Sequence, residues 1–512
     1  MLKKVYGSAV FGVEATTITV EVNVDSGIGY HLVGLPDNAI KESNYRIAAA
    51  LQNNGYKIPG KKLTINMAPA DLRKEGSAYD LTLAIGILAA SKQIKAEHLE
   101  RYLIMGELSL DGSLQPIKGA LPIAIKAREE GFKGFILPVQ NVKEAAIVGD
   151  LEVYGVNTIK QVIDYFDKGE ALERTIINTR DEFYKSLDFP EYDFSDVKGQ
   201  EGIKRCMEIA AAGGHNIILI GPPGAGKTML AKRLPSILPP MTLHEALETT
   251  KIHSVVGRVK EDTGLMSQRP FRSPHHTISD VALVGGGAFP QPGEISLSHN
   301  GVLFLDELPE FKRGVLEVLR QPLEDREVTI SRAKFTVTYP SSFMLVASMN
   351  PSPSGYFNDP DAPVATSPAE MQRYLGKISG PLLDRIDIHI EVTPVPFDKL
   401  SNSVNGESSV EIRKRVTQAR AIQTERFKDS ESVHYNAQMH TKYIRNHCTL
   451  DDASKQLLKA AMERLNLSAR AYDRILKVAR TIADLEGVEA INGTHISEAI
   501  QYRSLDREGW LG

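Results

Sequence analysis

The stretch Asn216–Thr228 combines residue types and a spacing that suit phosphate binding. Ile217–Ile220 form an aliphatic run typical of a buried parallel strand, and the pattern G-x-x-x-x-G-K-T follows directly. In such a loop the glycines let backbone N–H groups curve around phosphate oxygens, and the helix that follows adds a favourable dipole. Lys227 is expected to reach the β and γ phosphates of ATP, and Thr228 to place its hydroxyl on Mg²⁺. A glycine turn with a purely structural role is the alternative. The predicted phosphate-binding residues are Gly221, Pro222, Pro223, Gly224, Ala225, Gly226, Lys227 and Thr228.

A second apolar run, Gly301–Leu308, ends in two adjacent carboxylates. This is the Walker B pattern, which places Asp306 at a strand tip as a ligand of Mg²⁺ or a partner of its ligands. Glu307 is then expected to polarise the attacking water as a general base. Taken alone, two acids at a strand end could also cap a helix, but a phosphate loop earlier in the chain favours the catalytic interpretation.

A third strand is predicted over Phe343–Met349 and ends in Asn350. A polar side chain at this point can orient the water and sense the γ-phosphate, which is the sensor 1 role. The alternative is a turn residue, because an asparagine before a proline often serves in a turn.

Composition bounds the remaining possibilities. With 512 residues, 42% of them hydrophobic and 24% charged, the chain has the size for two to four globular domains. It contains no run of 18 apolar residues and no convincing signal peptide, so no membrane association is expected. Cys206 and Cys448 lie far apart without metal-ligand spacing, which favours a reducing cytoplasm. The net charge of −4 gives no support for nucleic-acid binding, which must therefore rest on a local patch.

Alternating and helical patterns fill the N-terminal third of the chain. Strands are predicted at Thr17–Val24, Leu63–Met67 and Gly134–Pro138, and helices at Lys41–Asn53 and Leu81–Ala90. A dense polar segment between them is expected to be a solvated turn without chemistry, and its charged residues are Asp71, Arg73, Lys74, Glu75 and Asp80.

This N-terminal part resembles the proteolytic domain of Lon and its relatives through Ala68–Ser91 and Gly106–Pro138. Lon-type enzymes use a serine within K-D-G-P-S-A-G, activated by a lysine. The serine position falls on Ala78 and the lysine position falls near Leu121–Ile123, which is apolar. The candidates for a displaced dyad are Ser77 and Lys118, both out of register. The resemblance therefore implies a scaffold or interaction domain with the fold of a protease.

The segment Asp196–Gln200 (DVKGQ) resembles the start of AAA+ ATPase modules, where a similar stretch lies beside the adenine base. The resemblance gives that place to Val197 and Gln200. Arg385, within Gly380–Val392, is the candidate arginine finger that acts on the nucleotide of a neighbouring subunit. Its alternative role is a salt bridge with Asp384 or Asp387.

The C-terminal part has the periodicity of helices and resembles an AAA+ lid. Arg470 begins a strongly amphipathic helix and is the sensor 2 candidate, with Arg474 one turn later as its rival. Residues 411–480 carry 15 lysines and arginines against 8 acidic residues. Nucleic-acid contact and a solvated helical surface both fit this excess.

Taken together, the chain resembles the magnesium-chelatase-related AAA+ proteins of the ComM/YifB type. Besides the segments above, this resemblance rests on Phe271–Gly287, Pro290–Phe311 and Arg320–Ala333. The first resembles the insertion in the second helix of the module. The resemblance implies an α/β fold with an N-terminal Lon-protease-like α+β domain, a P-loop AAA+ α/β module and a C-terminal all-α lid.

The predicted domains follow from these resemblances. They are a Lon-protease-like domain lacking the dyad over residues 1–170, a linker over 171–195, an AAA+ core over 196–395, a loop over 396–410 and a helical lid over 411–512.

The resemblance also implies a function, an ATP-driven DNA helicase that migrates branches during uptake and recombination of transforming DNA. In this group a hairpin, here Val328–Tyr339, enters the central pore of a homo-hexameric ring. Arg332 and Lys334 are two apart, so in a strand they lie on one face and could track DNA phosphates. The alternative is a surface hairpin with solvated charges. The other functions that remain open are a magnesium-chelatase-type ATPase subunit and an ATP-dependent chaperone.

One departure from the group concerns zinc. Many relatives have a cysteine-rich cluster after the sensor 1 asparagine, whereas Asn350–Pro368 contains no cysteine. Thiolate ligands are absent, so no structural zinc is expected.

Overall fold

In a computed structural model the described residues are 2–185, 192–287, 290–332, 335–354, 367–395 and 406–503. The chain divides into two compact units. Unit 1 comprises Met1–Leu187 together with Thr242–Ser267, and unit 2 comprises Asp188–Met241 together with Gln268–Gly512.

The continuous part of unit 1 alternates strands and helices. Its strands are β1 (Leu2–Phe11), β2 (Glu14–Asp25), β3 (Gly29–Val33), β4 (Lys62–Ala68), β5 (Tyr102–Ile104), β6 (Glu107–Leu108), β7 (Leu114–Gln115), β8 (Gly134–Pro138), β9 (Glu152–Val156) and β10 (Arg174–Thr175). Its helices are α1 (Asn38–Asn53), α2 (Asp80–Ala90), α3 (Ala120–Glu129), α4 (Val142–Ala145), α5 (Ile159–Lys168) and α6 (Thr179–Lys185).

Within the described part of unit 1, eight strands form one sheet in the order β10-β9-β8-β5-β1-β2-β4-β3. The long antiparallel pair β1 and β2 runs in register from Leu2 opposite Asn23 to Phe11 opposite Glu14. Every residue of α2 is buried, and this helix packs on β1 and β2. The strands and helices predicted in this region all lie within elements of the structure.

The helix α9 (Leu243–Val255) belongs to unit 1 although its sequence lies within the predicted AAA+ core. Thr242 caps it in a capping box with Glu245. Near its end, Ser254 accepts a hydrogen bond of 3.0 Å from Gly119 N–H and donates one to the buried Glu144 carboxylate. Burial raises the pKa of Glu144. These contacts explain why residues 242–267 pack with the N-terminal unit.

Unit 2 contains the remaining elements. Its strands are β11 (Ile217–Ile220), β12 (Phe271–Arg272), β13 (Gly285–Gly286), β14 (Gln291–Pro292), β15 (Val302–Leu305), β16 (Glu327–Arg332), β17 (Phe335–Pro340), β18 (Met344–Met349) and β19 (Ile388–Glu391). Its helices are α7 (Glu201–Gly213), α8 (Lys227–Ile237), α10 (Asp280–Val284), α11 (Glu294–Leu297), α12 (Arg313–Glu317), α13 (Arg320–Asp325), α14 (Pro368–Leu375), α15 (Gly380–Leu383), α16 (Ser409–Arg426), α17 (Thr441–His447), α18 (Asp452–Arg464), α19 (Ala469–Leu485) and α20 (Gly493–Gln501).

Among the described residues of unit 2, a parallel sheet has the order β12-β15-β18-β11-β19. The residues of β11, β15 and β18 are all buried, as expected for central parallel strands. Because all five strands run the same way, their carboxyl ends lie along one edge, which is where open α/β sheets bind ligands.

The C-terminal helices pack on α7 of the same unit. The helix α19 buries Ile475, Val478, Ala479 and Ile482, whereas Leu485 at its end is only partly buried. Arg426 holds the buried Asp484 through a hydrogen bond of 2.7 Å to Oδ2. The mixed α/β fold with a parallel sheet and a helical C-terminal region confirms the predicted fold class. No helix in the described ranges is both long and apolar enough to cross a membrane.

Candidate functional site

The phosphate-loop segment connects β11 to α8, which begins at Lys227. Gly221 donates its N–H to Met349 O at 3.1 Å. A Cβ at Gly221 would lie 2.2 Å from Val392 O, so only glycine permits this close approach of strands. Gly226 has a φ of 91°, a left-handed conformation that suits glycine at the entrance to the helix.

Lys227 joins the loop to the end of a neighbouring strand. Its ammonium group donates to Gly221 O at 2.6 Å, to Pro222 O at 3.0 Å and to Asn350 Oδ1 at 3.1 Å. Burial lowers the pKa of Lys227, while the nearby carboxylates of Asp306 and Glu307 oppose this effect. The structure therefore brings the predicted phosphate-binding lysine and the predicted sensor 1 asparagine into direct contact.

Asp306 lies at the end of β15, where it meets the phosphate loop. Its Oδ2 accepts a hydrogen bond of 2.8 Å from Thr228 Oγ1, and its Oδ1 accepts one from Ser348 Oγ. A hydroxyl and a carboxylate at this separation are the hard oxygen donors that Mg²⁺ prefers. The donor set of Thr228 and Asp306 thus fits the predicted magnesium site.

Glu307 follows with an unusual backbone conformation. Its φ is 56°, in the left-handed region that few non-glycine residues adopt. Its N–H donates to Ser348 Oγ at 3.3 Å, and its side chain is 55% exposed. The carboxylate of the predicted general base is therefore free to meet solvent beside the phosphate loop.

Asn350 follows β18 and is fixed on two sides. Its side chain accepts from Lys227, and its carbonyl oxygen accepts from the Tyr374 hydroxyl at 3.2 Å. The phosphate loop after β11, which leads to Lys227, thus meets the ends of β15 and β18, which lead to Asp306 and Asn350, at one edge of the sheet.

The residues predicted to lie near the adenine base differ in exposure. Val197 is fully buried in the core of unit 2. Gln200 donates from Nε2 to Ala225 O at 3.2 Å and to Thr393 O at 2.9 Å, which ties the phosphate loop to the end of β19. Gln200 also lines a cleft of about 440 Å³ together with Ile203, Ile390, Thr393 and Tyr502.

The predicted arginine finger and sensor 2 residues lie apart from these contacts. Arg385 forms an ion pair with Glu324 and donates to Pro381 O at 2.6 Å, so its partner is neither Asp384 nor Asp387. Arg470, which is 69% exposed, pairs with Asp384.

The rival sensor 2 residue, Arg474, is less exposed and reaches the buried Asp387 at 2.9 Å. Burial alone would raise the pKa of Asp387, but Arg474 and His215 hold that pKa below the usual range. Arg474 therefore has a structural partner at the base of β19.

The predicted DNA hairpin is formed by β16 and β17, which pair from Glu327 opposite Pro340 to Arg332 opposite Phe335. Arg332 is exposed, and its guanidinium group lies against Gly286 of the β13–β14 hairpin. Tyr339 donates its hydroxyl to Pro290 O at 2.7 Å, so the two hairpins pack together. Lys334, the second residue of the predicted pair, lies outside the described residues.

In unit 1 the residues of the would-be protease dyad find other partners. The Ser77 hydroxyl donates to the Glu107 carboxylate. Ala78 O accepts from Gly106 N at 2.8 Å, and the Lys118 side chain lies against Gly257. Ser77 and Lys118 therefore have separate surroundings.

The interpretation of the polar segment before α2 as a solvated turn is wrong for two residues. Lys74 is fully buried and donates to Pro69 O. Asp80 is also fully buried and accepts two hydrogen bonds from Arg46, at 2.7 and 3.0 Å. Burial also raises the pKa of Glu75 to about 7. Asp80 can be buried because the guanidinium group of Arg46 binds its carboxylate with two hydrogen bonds.

We predict that unit 1 does not cleave peptides, because Ala78 and the apolar Leu121–Ile123 occupy the positions of the dyad. The measurement is gel analysis of an unfolded protein incubated with the full chain, ATP and Mg²⁺, beside an active Lon-type protease. The substrate should remain intact. Cleavage that disappears in Ser77→Ala would instead identify a serine nucleophile.

Two side chains near Asp306 and Glu307 were not predicted from the sequence. Ser348 bonds to both residues, and His276 Nδ1 lies 3.7 Å from Glu307 Oε2. The adjacent pair His275–His276 was the available signal, because two neighbouring histidines are an unusual choice for a loop.

Comparisons with known proteins cover almost the whole chain. The family described as magnesium chelatase, subunit ChlI, matches residues 193–400, and its C-terminal family matches residues 406–503. The family described as subunit ChlI of Mg-chelatase matches residues 20–141. The chain is 45% identical to the competence protein ComM of Haemophilus influenzae, across 98% of this chain and 97% of that protein. The chain belongs to the ComM/YifB family of magnesium-chelatase-related AAA+ proteins.

Two further relatives show how much of the chain each resemblance covers. The YifB protein of Escherichia coli is 44% identical across 99% of this chain and 98% of that protein. Lon protease 2 of Bacillus subtilis is 29% identical over 157 residues, which cover 28% of this chain and 27% of that protein. The Lon resemblance is therefore partial, whereas the ComM/YifB resemblance predicted from the sequence is confirmed.

Proteins with the magnesium-chelatase-like AAA+ module generally use ATP and Mg²⁺. The described ranges contain no group of three or more histidine, cysteine or acidic side chains that could hold a metal ion such as zinc. Much of the segment predicted to lack zinc, residues 355–366, lies outside those ranges.

Proposed function

We propose that this ComM/YifB-family protein is an ATP-hydrolysing motor that remodels DNA as a homo-hexameric ring. The observation that carries the proposal is the pair of hydrogen bonds Lys227–Asn350 and Thr228–Asp306, which join three strand ends into one site. The identity to a competence protein supports a role in DNA uptake and recombination, as a helicase or branch-migration factor. The buried free cysteines, Cys206 and Cys448, support a cytoplasmic location.

The proposed chemistry assigns one task to each side chain. Lys227 and the loop N–H groups hold the β and γ phosphates of ATP, and Gln200 lies beside the base. Glu307 accepts a proton from the attacking water, which Asn350 orients. Mg²⁺ held by Thr228 and Asp306 would neutralise charge on the phosphate oxygens.

The decisive experiment compares the rate of ATP hydrolysis with single-stranded, duplex and forked DNA, with an unfolded protein, and with no addition. A DNA motor is expected to hydrolyse ATP faster with DNA and to ignore the unfolded protein. The alternative favoured by the family matches is a magnesium-chelatase-type ATPase subunit, which would show no response to DNA. A response to the unfolded protein alone would indicate a chaperone.

The hairpin formed by β16 and β17 allows a test of DNA binding by specific residues. Replacing Arg332 and Lys334 together by alanine should weaken DNA binding for all sequences alike, because such residues contact phosphates and not bases. The slope of log affinity against log salt should flatten by about 0.9 for each phosphate that the variant no longer neutralises. The measurement is fluorescence anisotropy of labelled DNA at several salt concentrations.

A matched control removes the same charge elsewhere. Lys41 and Lys57 are exposed lysines of unit 1, and their double alanine variant should bind DNA like the wild type. ATP hydrolysis without DNA reports whether the nucleotide site of each variant is folded. Unchanged affinity and salt slope in the hairpin variant would rule out the hairpin as the DNA grip and would direct attention to the basic residues 411–480.

A further inference from the structure

Residues at the two ends of the β16–β17 hairpin hold its base together. Arg326 comes directly before β16, and Ser341 and Ser342 follow β17. The N–H of Ser341 donates to Arg326 O at 2.7 Å, and the guanidinium group of Arg326 donates to Ser342 Oγ at 3.2 Å. Arg326 has a φ of 59°, a left-handed conformation that turns the chain from α13 into β16. Both ends of the hairpin are therefore fixed at Arg326.

Tyr435, from the C-terminal helical region, reaches this base. It lies between α16 and α17, and its hydroxyl accepts a hydrogen bond of 2.7 Å from Arg326 and lies 3.3 Å from Ser342 Oγ. The guanidinium group of Arg420 lies 4.5 Å from the centre of the Tyr435 ring, which is a cation–π distance. A Cβ at Gly214 would lie only 2.5 Å from the ring. The ring is therefore closely packed, while its hydroxyl contacts the base of the hairpin.

The segment that carries this tyrosine is bound to α19. Asn436 donates to Asp484 Oδ2 at 2.8 Å and to Thr481 Oγ1 at 3.1 Å. Ala437 O accepts a hydrogen bond of 3.0 Å from the ammonium group of Lys477. Lys477, Thr481 and Asp484 lie about one turn apart on α19, so one face of this helix holds the segment in place.

The same helix begins with both sensor 2 candidates. Arg470 and Arg474 lie near the start of α19, and they pair with Asp384 and Asp387, just before β19. Lid elements of enzymes commonly shift when the bound ligand changes. A shift of α19 on exchange of ATP for ADP would therefore reach the hairpin through residues 435–437.

We propose that Tyr435 is a positioning residue that couples movement of α19 to the β16–β17 hairpin. Its hydroxyl, held by Arg326 beside Ser342, carries the movement to both ends of the hairpin. β16 has six residues and is about 20 Å long at about 3.3 Å per residue, so a rotation at its base displaces Arg332 further than it displaces the base. The inference rests on the proposed function, in which nucleotide moves the C-terminal helices and the hairpin contacts DNA.

The experiment uses Tyr435→Phe in the full chain, which removes the hydroxyl and keeps the ring. The affinity for labelled DNA is measured by fluorescence anisotropy with ADP and with a non-hydrolysable ATP analogue. In the wild type the two affinities should differ by about fivefold or more, as is usual for coupled sites. In Tyr435→Phe the ratio should fall toward one, because loss of one hydrogen bond changes an equilibrium by about two- to tenfold. ATP hydrolysis without DNA and the KM for ATP should stay within about twofold, because Tyr435 is not part of the proposed nucleotide site.

A second readout does not depend on DNA. Hydrogen exchange at the backbone amides of β16 and β17 should differ between the ADP and analogue states of the wild type, and this difference should disappear in Tyr435→Phe. Ser342→Ala removes the other hydroxyl at the base of the hairpin and should reduce the difference in the same direction. This variant also decides the question if Tyr435→Phe does not fold.

The matched control is Tyr472→Phe, which removes a hydroxyl from an exposed tyrosine of α19 and should behave like the wild type. Nucleotide-dependent hydrogen exchange that persists in both Tyr435→Phe and Ser342→Ala overturns the inference, as does equal exchange in the two nucleotide states of the wild type. A raised KM for ATP in Tyr435→Phe also overturns it, because the residue would then act at the nucleotide. If the wild type does not bind DNA, the proposed function fails, and hydrogen exchange still decides whether Tyr435 couples the two elements.

Discussion

Replacing Glu307 by glutamine is expected to stop ATP hydrolysis while ATP still binds. The substitution keeps the size of the side chain and removes only the basic oxygen, so the hydrolysis rate should fall by about 10²–10⁴-fold, the usual contribution of general-base catalysis. Since the side chain is 55% exposed and the substitution keeps its size, the stability of the fold should change little. Single-turnover hydrolysis and binding of a fluorescent ATP analogue measure the two effects separately.

Lys227→Ala provides the contrasting variant. The ammonium group is the loop's charged donor, and a charge-assisted hydrogen bond is worth about 1.5–3 kcal/mol, or about 10–100-fold in affinity. ATP binding itself should therefore weaken in Lys227→Ala, in addition to hydrolysis. Full hydrolysis in Glu307→Gln would contradict the assignment of the base, whatever the result with Lys227.

The sequence predicted those parts of the site in which the functional residues directly follow a recognisable apolar strand pattern. Ile217–Thr228 contains a strand, a loop and a helix start in one segment, so its local structure follows from local residue types. Asp306 and Asn350 each end an apolar run. Because carboxyl ends of parallel strands share one edge, the meeting of Lys227, Asp306 and Asn350 could be expected without knowing the strand order.

The contact between His276 and Glu307 could not be predicted in this way. It depends on β12 lying next to β15, and β12 is only two residues long, too short for a periodic pattern. The ion pair of Arg385 with Glu324 has the same origin, since these residues are distant in sequence.

The packing of α9 with unit 1 was missed for a different reason. A helix pattern identifies an apolar face but not the surface that covers it. The pairing of Arg46 with the buried Asp80 was likewise not predictable, because a cluster of charges resembles a solvated turn until its partners are known.

Replacing Arg385 by alanine is expected to reduce ATP hydrolysis by about 10³–10⁵-fold if Arg385 acts as an arginine finger. Within one chain it pairs with Glu324 and makes no described contact with Lys227, Thr228 or Asp306. An arginine placed away from its own phosphate loop can reach a nucleotide in a head-to-tail ring, where each interface joins two different surfaces. Arg464→Ala, which removes an exposed charge from α18, should retain the wild-type rate and serves as the control.

Mixing two inactive variants tests whether the residue acts between subunits. Arg385→Ala retains an intact phosphate loop, and Lys227→Ala retains an intact arginine. In a randomly mixed ring, about a quarter of the interfaces pair an intact loop with an intact arginine, so activity should recover toward that fraction if sites work independently. The measurement is the hydrolysis rate across mixing ratios, under conditions where subunits exchange. If exchange is demonstrated and the rate stays at that of the separate variants, Arg385 does not act in trans. A fully active monomer would exclude the ring mechanism as well, because a lone chain has no neighbour to supply the arginine.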